Sequence, residues 1–363
     1  MQERDFSMER KRTRPVWLGT AQVGGGAPIS VQSMTNTDTR DIAATVEQIN
    51  KLALAGCEIV RVAVPDLEAA GALSLIKARI NVPLVADIHF DYRLALAALD
   101  KGVDGLRINP GNIGGREGVF KIAAAAGERK VPVRIGVNAG SLEKDLLDKG
   151  KPTASALVES ALRAVRLFEE VGFFDLKVSV KSSDVPMMLE AYQMLAEKTD
   201  YPLHLGVTEA GTLRSGAVKS AVGIGILLSK GIGDTIRVSL TGNPLDEVRV
   251  GYDILKSLGL RKRGIELVSC PTCARTQIDI IKIAGEVEEK LEGITAPLKI
   301  AVMGCVVNGP LEAKNADLGV AGGKGTGLIF RQGKVIRSVK EKDLVSELVR
   351  EAEEMAAQTA AKT

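Results

Sequence analysis

The sequence predicts an α/β protein: a closed (β/α)8 barrel followed by a small α+β domain. Eight β-branched runs are each followed by an Ala/Leu-rich helical segment. Charged and polar residues recur at every second position along several of those runs. Three of the four cysteines gather after the eighth unit. Eight strand–helix units in about 230 residues match the usual size of a TIM barrel. An open doubly wound sheet is the alternative, and eight uninterrupted units favour closure.

Residues 1–27 are polar and basic, then Gly-rich at Gly24, Gly25 and Gly26, and read as an N-terminal arm. The strand windows are 29–34, 58–64, 83–89, 105–110, 132–138, 175–181, 202–209 and 235–241. Helical patterns fill 41–55, 66–79, 91–101, 116–128, 153–170, 184–198, 214–229 and 246–257. The substrate-binding barrel therefore takes 28–258, and 259–264 (Gly-Leu-Arg-Lys-Arg-Gly) is a linker. In the second domain, 265–363, strands are expected at 265–269, 298–303, 317–321, 326–331 and 334–339. Helices are expected there near 275–291 and 341–358.

Composition narrows the function. Hydrophobic residues make up 45% and charged residues 26% of the 363 positions, as in ordinary globular proteins. Aromatics are only 3%, which argues against base-stacking platforms and so against a nucleic-acid partner. No apolar run reaches the roughly 18 residues of a membrane span. The first fifteen residues carry charge but no apolar core of a signal peptide. Clustered cysteines suit a metal site in a reducing cytoplasm better than a disulfide framework.

Barrel interiors are normally layered with Val, Ile and Leu. Here Arg61, Asp87, His89, Arg107, Asn109, Arg134, Asn138, Lys177, Ser179, Lys181, Arg237, Ser239 and Thr241 share one face of their strands by period two. Thr208 and Glu209 close the seventh strand. Six bases (Arg61, Arg107, Arg134, Lys177, Lys181, Arg237) against two acids (Asp87, Glu209) leave an excess of +4. Uncompensated charge does not stay buried, so the pocket should hold a polyanion, most simply a phosphate or diphosphate, gripped by arginine forks. His89 is a candidate for catalysis or substrate contact, and Glu209 for proton transfer. His204, between two leucines, and Cys57, at a helix-to-strand turn, read as structural.

Cys270-Pro-Thr-Cys273 is followed 32 residues later by Cys305. Zinc needs a fourth Cys or a His, whereas an iron–sulfur cluster tolerates three Cys and another ligand on the fourth iron. Glu312 offers that oxygen. Spacing alone leaves iron–sulfur, zinc and unliganded thiols open. A polyanion pocket beside an iron–sulfur site implies redox chemistry on a phosphorylated small molecule. A non-redox barrel lyase with a structural zinc domain is the alternative.

The motifs go further. VQSMTNT (31–37), VADIHFDYR (85–93), LRINPGNIG (106–114), RIGVNAGSLEKD (134–145), KVSVKSSDV (177–185), HLGVTEAG (204–211), SGAVKSA (215–221), CPTC (270–273) and GCVVNGPLEA (304–313) resemble the 4-hydroxy-3-methylbut-2-enyl diphosphate synthase family, in its compact bacterial form. The resemblance implies reductive ring opening of 2-C-methyl-D-erythritol 2,4-cyclodiphosphate in the methylerythritol phosphate pathway. It implies a 4Fe-4S cluster on Cys270, Cys273, Cys305 and Glu312. It implies a substrate pocket of Arg61, Asp87, His89, Arg107, Asn109, Arg134, Asn138, Lys181, Thr208, Glu209, Arg237 and Ser239. No flavin or nicotinamide fingerprint is present, so flavodoxin or ferredoxin is the expected electron donor. Where the family reads N-G-P-G-E, this chain has Leu311 in place of the second glycine. A loop that used that glycine's freedom at positive φ must adjust here.

Linker length adds an assembly expectation. The eighth βα unit returns the chain to the face opposite the strands' C-terminal ends. A helix of about 12 residues spans roughly 18 Å, to which the barrel body adds its side chains and loops, while six extended residues reach roughly 22 Å. That is too short to climb around the barrel and cap its top. A head-to-tail homodimer, each cluster domain serving its partner's barrel, satisfies both chains.

Overall fold

Eight parallel strands close on themselves in the first part of the computed structural model, which describes residues 9–305 and 313–360. The chain divides into two units, the first ending at Arg261 and the second starting at Lys262.

The first unit opens with an antiparallel hairpin of β1 (Val16–Leu18) and β2 (Ala21–Val23). Within the polar arm, Leu18 and Val23 are apolar, and they pack against Ile59 and Val85. These belong to β4 (Ile59–Ala63) and β5 (Leu84–Ile88), so the hairpin plugs the floor of the barrel. The remaining barrel strands are β3 (Ser30–Met34), β6 (Gly105–Ile108), β7 (Val133–Asn138), β8 (Leu176–Lys181), β9 (His204–Leu205) and β10 (Thr235–Ile236). They pair in the order β8-β7-β6-β5-β4-β3-β10-β9, and a parallel bridge from Val178 to Leu203 joins the two ends. The fold class expected from the strand–helix alternation is therefore the observed one.

The helices are α1 (Ile42–Ala55), α2 (Leu67–Lys77), α3 (Tyr92–Asp100), α4 (Gly115–Arg129), α5 (Ala154–Glu169), α6 (Val185–Lys198), α7 (Leu213–Ser229) and α8 (Pro244–Ser257). Asp41, Asp66, Asp91, Thr153, Asp184 and Asn243 cap six of them by accepting from backbone N–H groups of the first turn. Such caps fix where each βα loop ends. Outward strand residues such as Val62, Ala86, Ile108, Ile135 and Val178 form one core with Leu73, Leu99, Ile122, Leu157 and Leu195 of the helices. Helix cover on the outer face is what parallel strands require.

Two strands are shorter than their sequence windows. Beyond Leu205 and Ile236 the ladder persists as isolated bonds, Arg237 N to Leu205 O at 3.0 Å, Thr208 N to Ser182 O at 3.3 Å and Thr241 N to Gly211 O at 2.9 Å, with a parallel bridge from Thr212 to Thr241. After β9 the backbone leaves the extended region, with φ +52° at Glu209 and +113° at Gly211.

The second unit is a five-stranded sheet of β11 (Ile265–Ser269), β12 (Leu298–Met303), β13 (Leu318–Gly322), β14 (Thr326–Arg331) and β15 (Lys334–Lys340), paired in that order. The first three are parallel, and β14 and β15 continue antiparallel. Helices α9 (Ile280–Leu291) and α10 (Leu344–Ala360) share one core with the sheet, through Ile283, Val287, Leu344 and Leu348 against Ile300, Val320 and Ile329. Helix α9 begins five residues later than its pattern suggests. Asp279 caps it by accepting from Lys282 N. Residues before it are held as a loop instead, with Thr276 N bonded to Cys273 O and Gln277 N to Gly304 O. No helix among the described residues is long and apolar enough to cross a membrane.

Candidate active site

Strand register turns the polar residues of the first unit into a ring. Arg107 lies opposite Asp87 on one side and Arg134 on the other; Arg134 lies opposite Lys177, and Asn138 opposite Lys181. Arg61, Asp87, Arg107, Arg134, Lys177 and Lys181 are all buried. Glycines make room for them. A Cβ at Gly136 would stand 2.6 Å from Arg107 Nε, and one at Gly206 would stand 2.5 Å from Lys181 Nζ. The period-two pattern foretold the charged residues; the glycines that accommodate them are a signal the sequence reading left unused.

Asp87 anchors the ring. Arg107 Nη1 donates to its Oδ1 at 3.0 Å, and Arg61 Nε approaches Oδ2 at 3.4 Å. Burial alone would raise the carboxyl's pKa, but the Arg61 charge, the His89 contact and the Arg107 charge outweigh it and hold Asp87 far below the usual carboxylate range. Arg107 Nη1 also lies 3.0 Å from His89 Nε2. The same ring nitrogen lies 3.4 Å from Asp87 Oδ2, so whether it accepts from the guanidinium or donates to the carboxylate follows the tautomer. His89 is half exposed, at 49% of its side chain.

The cations are poorly compensated. Burial, then the nearby Arg134, pushes Lys177 and Lys181 well below the ordinary lysine value. Burial also lowers Arg134, with Arg61 and Arg107 adding repulsion, and Arg61 is pushed down to about 10. Arg134 Nη1 and Arg107 Nε have no hydrogen-bond partner among the described residues. Unpaired buried donors of this kind are costly. They mark where an anionic ligand would be stabilised.

Around this ring, Asn109 Nδ2 donates to Ser141 Oγ at 2.9 Å, and Ser141 Oγ to Asn138 O at 3.2 Å. With its amide turned so that both ends are satisfied, Asn138 accepts from Arg107 Nη2 at 3.2 Å. Thr208, Arg237 and Ser239 are half-buried past the ends of β9 and β10. Glu209 is exposed and makes no side-chain hydrogen bond or ion pair to the described residues. It does not serve as the second buried acid of the ring. That place belongs to Glu247 in the first turn of α8, which is 4% exposed and faces Arg237 Nη2 at 3.3 Å. Six bases against Asp87 and Glu247 again leave an excess of +4. His204 is fully buried on the inward face, and both ring nitrogens lack a partner among the described residues. Burial, then Arg134, holds it well below the normal histidine value and hence neutral.

In the second unit, Cys270 follows β11 and Cys305 follows β12, neighbouring parallel strands paired Ser269 to Val302. Their C-terminal ends therefore bring both cysteines to one edge of the sheet. Gly304 N donates to Cys270 Sγ at 3.1 Å, the kind of N–H···S contact that stabilises a thiolate. The Cys273 thiol is lowered by the Arg275 backbone N–H, then by Thr276 and the Arg275 charge. Cys57, by contrast, is buried and pushed up to about 12 by desolvation, with Sγ donating to Ile59 O at 3.0 Å. Cys270 and Cys305 at one sheet end, with Cys273 on the loop that follows Cys270, are a donor set that fits an iron–sulfur group. Among the described residues, no group of three or more His, Cys, Asp or Glu is already assembled to hold a metal ion. Glu312 and Leu311 lie outside the described residues.

Residues 13–252 match the GcpE TIM-barrel domain, and residues 266–354 match the GcpE protein C-terminal domain. The chain belongs to the GcpE family. It is 61% identical over 350 residues to the 4-hydroxy-3-methylbut-2-en-1-yl diphosphate synthase (flavodoxin) of Geobacter sulfurreducens, covering 96% of this chain and 99% of that one. The proteins of the same name from Caldanaerobacter subterraneus subsp. tengcongensis and Clostridium perfringens are 60% and 61% identical, over 95% and 94% of this chain and 98% and 99% of theirs. Among solved structures, a type I 3-dehydroquinate dehydratase from Clostridium difficile aligns with TM-score 0.51 at 16% identity, over 68% of this chain and 98% of that one. At that identity the likeness bears on the fold alone.

Proposed function

We propose that this GcpE-family chain opens the ring of 2-C-methyl-D-erythritol 2,4-cyclodiphosphate by two-electron reduction. The product is (E)-4-hydroxy-3-methylbut-2-enyl diphosphate, with loss of water, in cytoplasmic isoprenoid biosynthesis. The observation that carries the reading is the formal excess of four positive charges among the side chains that line the barrel. A cyclic diphosphate offsets that excess and gives Arg134 Nη1 and Arg107 Nε acceptors. Arg61, Arg107, Arg134, Lys181 and Arg237 bind the diphosphate; Asn109, Asn138, Thr208 and Ser239 orient the ring. Asp87 and His89 hold Arg107 in place at the reacting end. Cys270, Cys273 and Cys305, with Glu312, would hold a 4Fe-4S cluster, which supplies electrons one at a time from flavodoxin or ferredoxin. Anaerobic incubation with the cyclodiphosphate and a chemical reductant, followed by mass spectrometry, tests the reaction. The expected product has lost one oxygen atom; unconsumed substrate overturns the proposal.

Glu209, without a side-chain partner among the described residues, delivers the proton that leaves with water. General acids contribute roughly 10²–10⁴ in rate. Glu209→Gln should therefore bind substrate normally in calorimetry but turn over at least about a hundredfold more slowly. Near-full turnover removes Glu209 from this role.

The six-residue linker supports a head-to-tail homodimer as the working unit. Mixing inactive Cys270→Ser and Arg134→Leu chains under subunit exchange should restore activity, because one site of each mixed dimer then carries neither defect. Mixed dimers that form and stay inactive show that each site is built within one chain.

A further inference from the structure

We infer that Glu247 is a positioning residue that sets the angle at which Arg237 meets the substrate's diphosphate. The inference rests on the assignment of Arg237 to the diphosphate pocket. Glu247 sits in the first turn of α8, where an acid is ordinarily explained by the helix dipole and left in solvent. Here it is buried and turned inward. Its Oε1 accepts from Leu240 N at 3.0 Å, in the loop after β10, and its Oε2 accepts from Ser33 Oγ at 3.0 Å on β3. Arg237 Nη2 lies 3.3 Å and 3.5 Å from the two oxygens. One carboxylate therefore ties α8 to the seam where the first and last strands of the barrel meet, and its position is fixed by two donors that do not involve Arg237.

Those two bonds decide what Glu247 can do. A carboxylate held only by an arginine would swing with it. A carboxylate pinned by Leu240 N and Ser33 Oγ cannot follow, so Arg237 must come to it. The guanidinium is thereby tethered by Nη2, and Nε keeps no protein acceptor among the described residues. A planar fork with one corner fixed and another donor open is pre-organised for an anion, which reduces the ordering cost of binding. Glu247 does not touch the substrate, and it acts through Arg237 alone.

A double-mutant cycle separates this from a purely structural role. Glu247→Gln can still accept from Leu240 N through Oε1 and donate from Nε2 to Ser33 Oγ, whose hydroxyl then accepts, but it weakens the tether. It should raise KM for the cyclodiphosphate roughly tenfold, about the loss of one charge-assisted hydrogen bond, with kcat near the wild-type value. In an Arg237→Gln background the same change should have no further effect on KM. If Glu247→Gln leaves KM unchanged, or raises it equally in both backgrounds, the inference is overturned. If Arg237→Gln itself leaves KM unchanged, the pocket assignment fails first, and that result is distinguishable from the other two. Should Glu247→Gln not fold, Glu247→Asp, which keeps the charge and shortens the reach by one methylene, takes its place in the same cycle.

Discussion

Cys270→Ser, Cys273→Ser and Cys305→Ser should each lose turnover by at least about a hundredfold, together with the brown colour of the anaerobically purified protein. Cys57→Ser should keep both. The four thiols differ in physical setting. Cys57 is a small apolar filler between α1 and β4, its thiol pushed up to about 12 by burial and donating to Ile59 O. The thiolate is the metal ligand, and Cys57 resists becoming one. Cys273 is exposed, with its thiol lowered by neighbouring donors, and Cys270 Sγ already accepts from Gly304 N. Serine cannot replace a soft sulfur ligand to iron. Visible absorption, iron content and turnover check the prediction. A full iron complement in any of the first three variants refutes the ligand assignment, and colourless zinc-containing wild-type protein returns the chain to the lyase alternative.

Much of the barrel was legible because parallel strands covered on both faces read as β-branched runs, and inward polar residues interrupt them at period two. Arg107, Arg134 and Lys177 could be set on one face from spacing alone, and the register places them opposite one another. Glu247 was not legible as a site residue. Beside Asp246 in a first turn it looks like a dipole acid. The missed clue is helical spacing: Glu247 shares its face with Gly251 and Leu255, four and eight residues on, which turn inward with it. Glu209 departs in the opposite direction, exposed where the sequence counts it among the acids of the pocket. Strand alternation cannot be extended through a residue at φ +52°, and the nearby Gly211 was the one sequence sign of that turn. The floor hairpin was hidden by averaging. The arm is polar overall, yet Val16, Leu18 and Val23 alternate about a Gly19-Thr20 turn.

Replacing Asp87 with Asn should produce the largest loss of stability of any single change in the lumen. Asp87 is 2% exposed and is the carboxylate that both Arg61 and Arg107 approach. Removing one partner of a buried ion pair costs about 3–5 kcal/mol, because the remaining charge is left without compensation. Here two guanidiniums lose their partner, beside Arg134, Lys177 and Lys181 already crowded by burial. Against a typical stability of about 5–15 kcal/mol, that shift is readily seen in urea melts. Its pH dependence follows from the direction of the Asp87 shift. The folded-state pKa lies below the unfolded value of about 3.9, so the unfolded chain binds the proton more readily. The Asp87 contribution is then fully present above about pH 4 and is lost as pH falls through the folded value. The gap between wild type and Asp87→Asn should stay constant from pH 7 to about pH 5 and narrow below about pH 4. Inorganic pyrophosphate should also raise the Tm of Asp87→Asn by more than that of wild type, since the variant lumen carries one further uncompensated positive charge. A gap that is small at neutral pH, or that does not narrow on acidification, means that Asp87 is not the acid that neutralises this ring, and the excess positive charge on which the diphosphate site rests would have to be recounted.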